Sequence, residues 1–358
     1  RYIDMTEYIK NSMDVEILKR TPSSFLGSCR FKLPTVEKSP ETYEKIIAVL
    51  RKLDIQHFFY IGGNDSMDTI KQLSEYAKAK NITDITFMGV PKTIDNDLAV
   101  TDHTPGYGSA AKYIASTMKE IIRDALVQPI KIVNIIEIMG RNAGWLTAAA
   151  ALAKGDDCEG ADLIYLPETV FDINKFVAKV QEIQKTKKQI VVAVSEGVKT
   201  ADGKYVCESA SSNMLVDSFG HKQLSGTATA LANVISNEIG CKTRAIEFST
   251  IQRCASHIAS LTDVNEAFIV GGIAVKAAFD GETGKVGIFQ RLSNKPYLMG
   301  TSIYDVNAIA NVEKTVPQEW IINDGTGVSQ EALDYMRPLI QGEIYPYMVD
   351  GLPRHIKL

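Results

Sequence analysis

The sequence predicts an α/β protein with two αβα layers and mainly parallel sheets. Three observations lead there. Short apolar runs of strand length alternate with stretches of helical periodicity, the pattern of strands buried on both faces. The chain has 358 residues, more than one core of roughly 100–200 residues accommodates. Glycines and charged groups cluster directly after the apolar runs, where open parallel sheets bind ligands.

The elements follow in order. Ser39-Pro40 is a cap residue followed by proline in the first turn, and Tyr43, Ile46, Ile47, Leu50 and Leu53 recur at helical spacing. His57–Ile61 is a strand-length run stopped by Gly62-Gly63. A helix is expected from about Met67 to Lys80, with Ile70, Leu73 and Ala77 on one stripe. Ile85–Val90 is the next strand, followed by a polar loop and a helix near Ser109–Ala125 that could bridge two sheets. Ile132–Met139 is a further buried strand, leading through a Gly-rich turn into an alanine-rich helix near Trp145–Ala153. Leu163–Leu166 and Ile190–Val194 complete the strands expected.

Composition narrows the class. With 45% hydrophobic and 23% charged residues, 25 Gly and 12 Pro, the chain is an ordinary globular sequence. Its apolar runs stay well below the ~18 residues of a membrane span. Lys+Arg 39 against Asp+Glu 43 gives −4, so no global field draws it to nucleic acid or to an anionic membrane. An anionic ligand would need local cations. The five cysteines form no CxxC pair, and no leader pattern opens the sequence. Reduced thiols and a cytoplasmic location are expected. No two histidines have metal-ligand spacing: His57, His221 and His355 read as structural or exposed, His103 and His257 as loop residues.

Four apolar runs each deliver a polar cluster: Gly62–Ser66 (GGNDS), Pro91–Asp97 (PKTIDND), Met139–Gly144 (MGRNAG) and Ser195–Gly197 (SEG). Gly62-Gly63 lets backbone approach a phosphate, and the helix start beyond offers free N–H groups and a positive dipole. Asn64 and Asp65 are hard oxygen donors suited to Mg²⁺ on phosphates, or else helix caps. Asp95 and Asp97, two residues apart, can divide proton acceptance from holding metal or water; an Asx turn is the blander alternative. Lys92 and Arg141 suit an anion, or serve as a surface lysine and a structural salt bridge. Arg244 and Arg253 carry forks that match phosphate, or are surface charges. Together these parts describe phosphoryl transfer: a phosphate cradle, metal carboxylates, a base and arginines.

In this order, GGNDS, PKTIDND, MGRNAG, SEG, Thr243–Ala245 and Ile251–Arg253 resemble the phosphofructokinase family, from about Thr21 to Ala255. The resemblance implies two similar αβα domains with the site between them. It further implies Mg²⁺-dependent phosphoryl transfer to the 1-hydroxyl of fructose 6-phosphate, in glycolysis, by a homo-oligomer (dimer or tetramer). On it Asp95 matches the base, and Thr93 and Asp97 its neighbours. Met139, Gly140 and Arg141 match the segment contacting sugar and transferring phosphate, and Glu196 the carboxylate on the sugar hydroxyls. Arg244 and Arg253 match the 6-phosphate clamp, one member of which usually comes from a neighbouring subunit. Arg30 matches an arginine near the transferring phosphate. The expected division is 1–108 plus about 252–300 for the donor, and about 109–251 plus 301–358 for the sugar phosphate.

Departures from the family's ATP-dependent pattern bear on the donor. Asp65 and Lys92 stand where ATP-dependent members typically have glycines, and match the pyrophosphate-dependent branch. A carboxylate at position 65 occupies the room of a nucleotide's α-phosphate. At ~4 Å and an effective dielectric of ~20, the repulsion is on the order of 4 kcal/mol, about a thousandfold in binding. Lys92 adds attraction for a bare diphosphate, so both changes discriminate the same way. An ATP-dependent enzyme and a non-catalytic sugar-phosphate-binding subunit are the alternatives. Asn64 replaces the usual metal-binding Asp, which shifts that duty toward Asp65, and Thr250 replaces a sugar-phosphate histidine. Family members also begin with a strand and Gly-rich phosphate loop that has no counterpart before Asp4. Part of the donor site is therefore expected to be missing, and the activity is expected of the intact protein.

Overall fold

The computed structural model describes residues 3–28, 31–209 and 224–357. The chain opens with α1 (Ser12–Leu18) and α2 (Pro40–Lys52), whose Tyr43, Ile47 and Leu50 are buried as the periodicity predicts. Then come β1 (His57–Gly62), α3 (Asn64–Ala79), β2 (Thr86–Pro91) and α4 (Tyr107–Leu126). β3 (Ile132–Ile138), α5 (Trp145–Ala148), β4 (Leu163–Tyr165), α6 (Ile173–Ile183) and β5 (Gln189–Ser195) follow. The last large elements are α7 (Thr227–Ile239), β6 (Lys242–Glu247), α8 (Leu261–Phe279), β7 (Lys285–Asn294), β8 (Tyr297–Asp305) and α9 (Gln330–Met336). Sequence periodicity anticipates α2 to α5 within a few residues; α5 stops at Ala148 and continues as a tighter 3₁₀ turn, Ala149–Ala153.

Two four-stranded sheets carry the fold, in the orders β1-β2-β7-β8 and β4-β5-β3-β6. The second is wholly parallel; in the first only β8 runs antiparallel. Side-chain alternation divides the second sheet between two cores. Ile136, Ile138, Val191 and Ala193 pack toward α4 and α5, while Val133, Ile135, Ile190, Val192 and Val194 pack toward α6 and α7. In the first sheet, Phe87, Val286 and Ile288 join Tyr43, Ile70 and Leu73 of α2 and α3. On its other face Met88 packs against Ala277 and Ala278 of α8.

The halves are tied together at the start of α4. Asp263, in the first turn of α8, accepts from the backbone N–H of Gly106 (2.8 Å) and Ser109 (3.0 Å) and from the Ser109 hydroxyl (2.5 Å). α4 thus covers the second sheet while its N-terminus is fastened to a helix of the first. β8 belongs to the first sheet through Asp305, whereas Ala332 and Met336 of α9 enter the core of the second. Among the described residues no helix is long and apolar enough to cross a membrane.

Candidate active site

The carboxyl ends of the strands bring the polar clusters together. Gly62 of β1 aligns with Pro91 of β2, and the Lys92 N–H donates to the Gly62 carbonyl at 3.0 Å. A Cβ on Gly62 would lie 1.8 Å from Ser66 Oγ, so this strand-to-helix turn requires glycine. Gly63 caps α3 with no side-chain hydrogen bond, and the Ser66 N–H closes on its carbonyl at 3.0 Å, so the positive end of the helix is open to an anion at its first two residues. Asn64 Nδ2 donates to the Val312 carbonyl at 3.0 Å; its Oδ1 is buried with no hydrogen-bond partner among the described residues. Asp65 and Lys92 are both exposed beside this turn.

The loop after β2 is held by its own side chains. Thr93 Oγ1 donates to Asp95 Oδ2 at 3.0 Å. Asn96 adopts a left-handed backbone (φ 55) and is buried. Its amide donates to Tyr335 Oη (2.9 Å) and its Oδ1 accepts from the Thr104 N–H (3.0 Å). Asp97 turns inward, and its Oδ1 has no hydrogen-bond partner among the described residues. Burial pushes its carboxyl up to about 6; the charges of Asp95 and Glu313 add to this, and Lys92 opposes it.

Across from this loop lie the ends of β3 and β5, aligned at Ile138 and Ser195. Gly140 has φ 139, and a Cβ there would lie 2.6 Å from the Ala143 carbonyl. Gly197 lies so close to the Arg141 backbone that a Cβ would fall 1.9 Å from its carbonyl oxygen. Ser195 Oγ donates to the Gly140 carbonyl (2.5 Å) and the Gly140 N–H to Glu196 Oε1 (3.3 Å). Met139–Arg141 and Ser195–Gly197 therefore form one surface. Burial raises the Glu196 carboxyl to about 7; Glu137 and Asp95 push the same way, against the Gly140 N–H and Arg141. The two groups of loops meet through Lys314, whose N–H donates to the Asp97 carbonyl (2.7 Å) and whose carbonyl accepts from Trp145 Nε1 (2.8 Å).

The raised Glu196 carboxyl has a measurable consequence. Its folded value of about 7 exceeds the ordinary 4.5, so its stabilising contribution is complete below the ordinary value and is lost as pH rises toward the folded one. Glu196→Gln keeps the shape and removes the ionisation. The variant is expected to gain on the wild type by up to about 3 kcal/mol between pH 5 and pH 8. Denaturant midpoints at the two pH values test this, and parallel pH profiles would sink it.

Beyond β6 the chain makes a 3₁₀ turn, Ser249–Arg253, with Thr250 and Arg253 exposed. Arg253 borders a cavity of about 220 Å³ whose wall includes Ile94 of the Asp95 loop, Ser256 and Arg20. Arg244 does not join them within this chain. It lies in the middle of β6 opposite Asn134, and its guanidinium pairs with Asp124 in the last turn of α4 at 3.2 Å. Arg30 lies outside the described residues. His103, read from the sequence as a loop residue, is buried: its ring lies between Asp102 (2.9 Å) and Glu266 (2.8 Å).

Three charged residues of this region escape sequence reasoning. Glu137, inside an apolar strand, accepts from the Ala228 N–H (2.9 Å) at the start of α7, and its carboxyl is pushed up to about 7 by burial. Glu168 accepts from the Gly144 and Val316 N–H groups (2.8 and 2.9 Å). Lys314 approaches the Asp95 loop from more than 200 residues along the chain. Only Glu137 carried a signal, a carboxylate in a run whose sole other polar residue is Asn134.

Among the described residues no three His, Cys, Asp or Glu side chains are grouped to hold a metal by themselves. That suits Mg²⁺, which takes one or two protein oxygens and completes its shell with waters and substrate phosphates. Asn64 Oδ1, next in sequence to Asp65, is a hard oxygen buried with no hydrogen-bond partner among the described residues, of the kind such a cation takes.

The comparisons agree with this geometry. The phosphofructokinase family pattern matches residues 3–249. The pyrophosphate–fructose 6-phosphate 1-phosphotransferase of Halomonas elongata is 39% identical over 346 residues, 96% of this chain and 81% of that protein. The protein of the same name from Xanthomonas campestris pv. campestris is 41% identical over 347 residues, 96% of this chain and 82% of its own. The crystal structure of a pyrophosphate-dependent phosphofructokinase from Nitrosospira multiformis superposes with a TM-score of 0.87 at 37% identity, covering 99% of this chain and 83% of that one. With its strand-end loops facing each other across two sheets and a family pattern spanning most of its length, the chain belongs to the phosphofructokinase family.

Proposed function

We propose that the protein transfers a phosphoryl group from pyrophosphate to the 1-hydroxyl of fructose 6-phosphate, giving fructose 1,6-bisphosphate and phosphate. The observation that carries this reading is the position of Asp95: fixed by Thr93, three residues beyond Lys92, in a loop that Lys314 ties to the start of α5 on the opposite sheet. Asp95 takes the proton from the sugar hydroxyl as its oxygen bonds to the transferring phosphorus, and the P–O bond to the departing phosphate breaks. Lys92, Gly62, Gly63 and the start of α3 receive the diphosphate, with Asp65 excluding a nucleotide. Met139, Gly140 and Glu196 hold the sugar, Arg141 stands beside the transferring group, and Thr250 and Arg253 take the 6-phosphate. Asn64 and Asp65 hold Mg²⁺, which neutralises phosphate charge when bound.

In this reading the half built on β1, β2, β7 and β8 binds the donor, and the other half binds the sugar phosphate. Arg244, directed away from the loops of its own chain, serves the clamp of a second copy in a homo-oligomer. The expected setting is glycolysis in the cytoplasm.

The test supplies pyrophosphate or ATP, each with fructose 6-phosphate and Mg²⁺, to the intact-length enzyme. Turnover is expected with pyrophosphate alone. A preference for ATP would refute the donor assignment, and turnover with neither would leave sugar-phosphate binding as the function.

A further inference from the structure

Lys314 bonds both to the Asp95 loop and to the residue that opens α5. Its backbone N–H donates to the Asp97 carbonyl at 2.7 Å. Its ammonium group points into the curl of the same loop and donates to three oxygens: the Asp102 carbonyl (2.7 Å), the Thr101 carbonyl (3.2 Å) and Asn96 Oδ1 (3.4 Å). Three donors thus meet three acceptors, the full capacity of an ammonium group. In the other direction, its carbonyl accepts from Trp145 Nε1 at 2.8 Å, and the ammonium lies 5.3 Å from the centre of that indole. Trp145 opens α5, directly after Met139–Gly144. Glu313 bridges to Leu98, and Glu168 ties the Val316 N–H to the Gly144 N–H, so the flanking residues run the same course.

We propose that Lys314 is a positioning residue: it fixes the Asp95 loop at a set distance from the Met139–Gly144 loop, so that the base meets the sugar hydroxyl in line with the transferring phosphate. The inference deepens the functional reading above and rests on it. Asn96, between the two aspartates, holds a left-handed backbone that asparagine tolerates, and its side chain is held by the Lys314 ammonium and the Tyr335 hydroxyl. Burial draws the lysine's pKa down to about 8, while Asp102 and Asp97 hold it up, so the charge is retained near neutrality because these oxygens surround it. The residue touches no expected substrate position. Its effect should therefore fall on the geometry of reaction and not on binding.

The test uses the full chain with pyrophosphate and fructose 6-phosphate. Lys314→Met, of similar length and without charge, is expected to lower kcat by roughly 10²-fold, the scale of a misplacement near 1 Å, and to leave KM for the sugar within about threefold. Lys314→Ala should recover part of the lost kcat when methylammonium is added, which a general loss of folding would not allow. Lys112→Met is the control: Lys112 also makes three bonds, to the Ala259 and Gly342 carbonyls and Glu343, but away from both loops. It is expected to lower the melting temperature and keep kcat. Unchanged kcat in Lys314→Met, or KM rising as much as kcat falls, would overturn the proposal. Hydrogen exchange separates this from failure of the functional reading. Even if the wild type turns over neither donor, Lys314→Met should speed exchange of the Asn96–Thr104 amides and leave β5 unchanged. Equal exchange in variant and wild type would dismiss the positioning role.

Discussion

Replacing Asp95 by alanine is expected to lower kcat by roughly 10²–10⁴-fold and to leave the sugar's KM nearly unchanged. The carboxylate has a restricted position: Thr93 Oγ1 holds one oxygen at 3.0 Å, and the buried Asn96 fixes the backbone on its far side. Proton removal matters only as the new O–P bond forms, so its loss raises the barrier without weakening ground-state contacts. On the reading proposed above, Glu196, Met139 and Gly140 remain to hold the sugar. Steady-state kinetics across pH would decide the matter. A variant that kept its rate would transfer the role of base to another group, with Asp97, whose carboxyl is pushed up to about 6, next in line.

Asp65→Gly is expected to raise kcat/KM for ATP by up to about 10³-fold, the equivalent of the ~4 kcal/mol repulsion it relieves. Asp65 stands in the first turn of α3, exposed, and it offsets the positive helix terminus that would otherwise welcome a nucleotide's phosphates. Pyrophosphate, short enough to stay clear of position 65 and near Lys92, should gain nothing, and should lose whatever hold Asp65 has on Mg²⁺. Measuring both donors on the same preparation gives the ratio directly. If the ratio of the two kcat/KM values stays fixed, donor choice is made elsewhere.

Strand-end loops were the legible part of this chain. GGNDS, PKTIDND, MGRNAG and SEG are contiguous, follow strongly apolar runs, and fold where the runs place them, because a parallel sheet sends every strand's carboxyl end to one edge. The helices from Pro40 to Leu126 were equally plain: α2 and α3 each bury one periodic stripe, and α4, buried all round in its first half, keeps the stripe Met118, Ile122 and Ala125 in its second. The region beyond Ile239 was harder. α8 is apolar on nearly every side, so periodicity gives no face, and β7 and β8 alternate only loosely between buried and half-buried positions. Lys314 and Glu168 gave no local signal at all: their partners lie far away in sequence, and a lone lysine or glutamate in a polar stretch reads as surface. The partnership of Arg244 with Asp124 was hidden for the same reason.

The hold of Asp263 on the start of α4 limits how the molecule can breathe. Swinging the two sheets apart like a clamshell would strip three hydrogen bonds from a carboxylate with almost no access to water. Exchanging these charge-assisted bonds for water costs on the order of 1.5–3 kcal/mol each, which keeps a form that gapes at this point to about one molecule in a thousand or fewer. Reactants must then slip in through the seam by motion of exposed side chains such as Lys92 and Arg253, against a frame that behaves as a fixed jig.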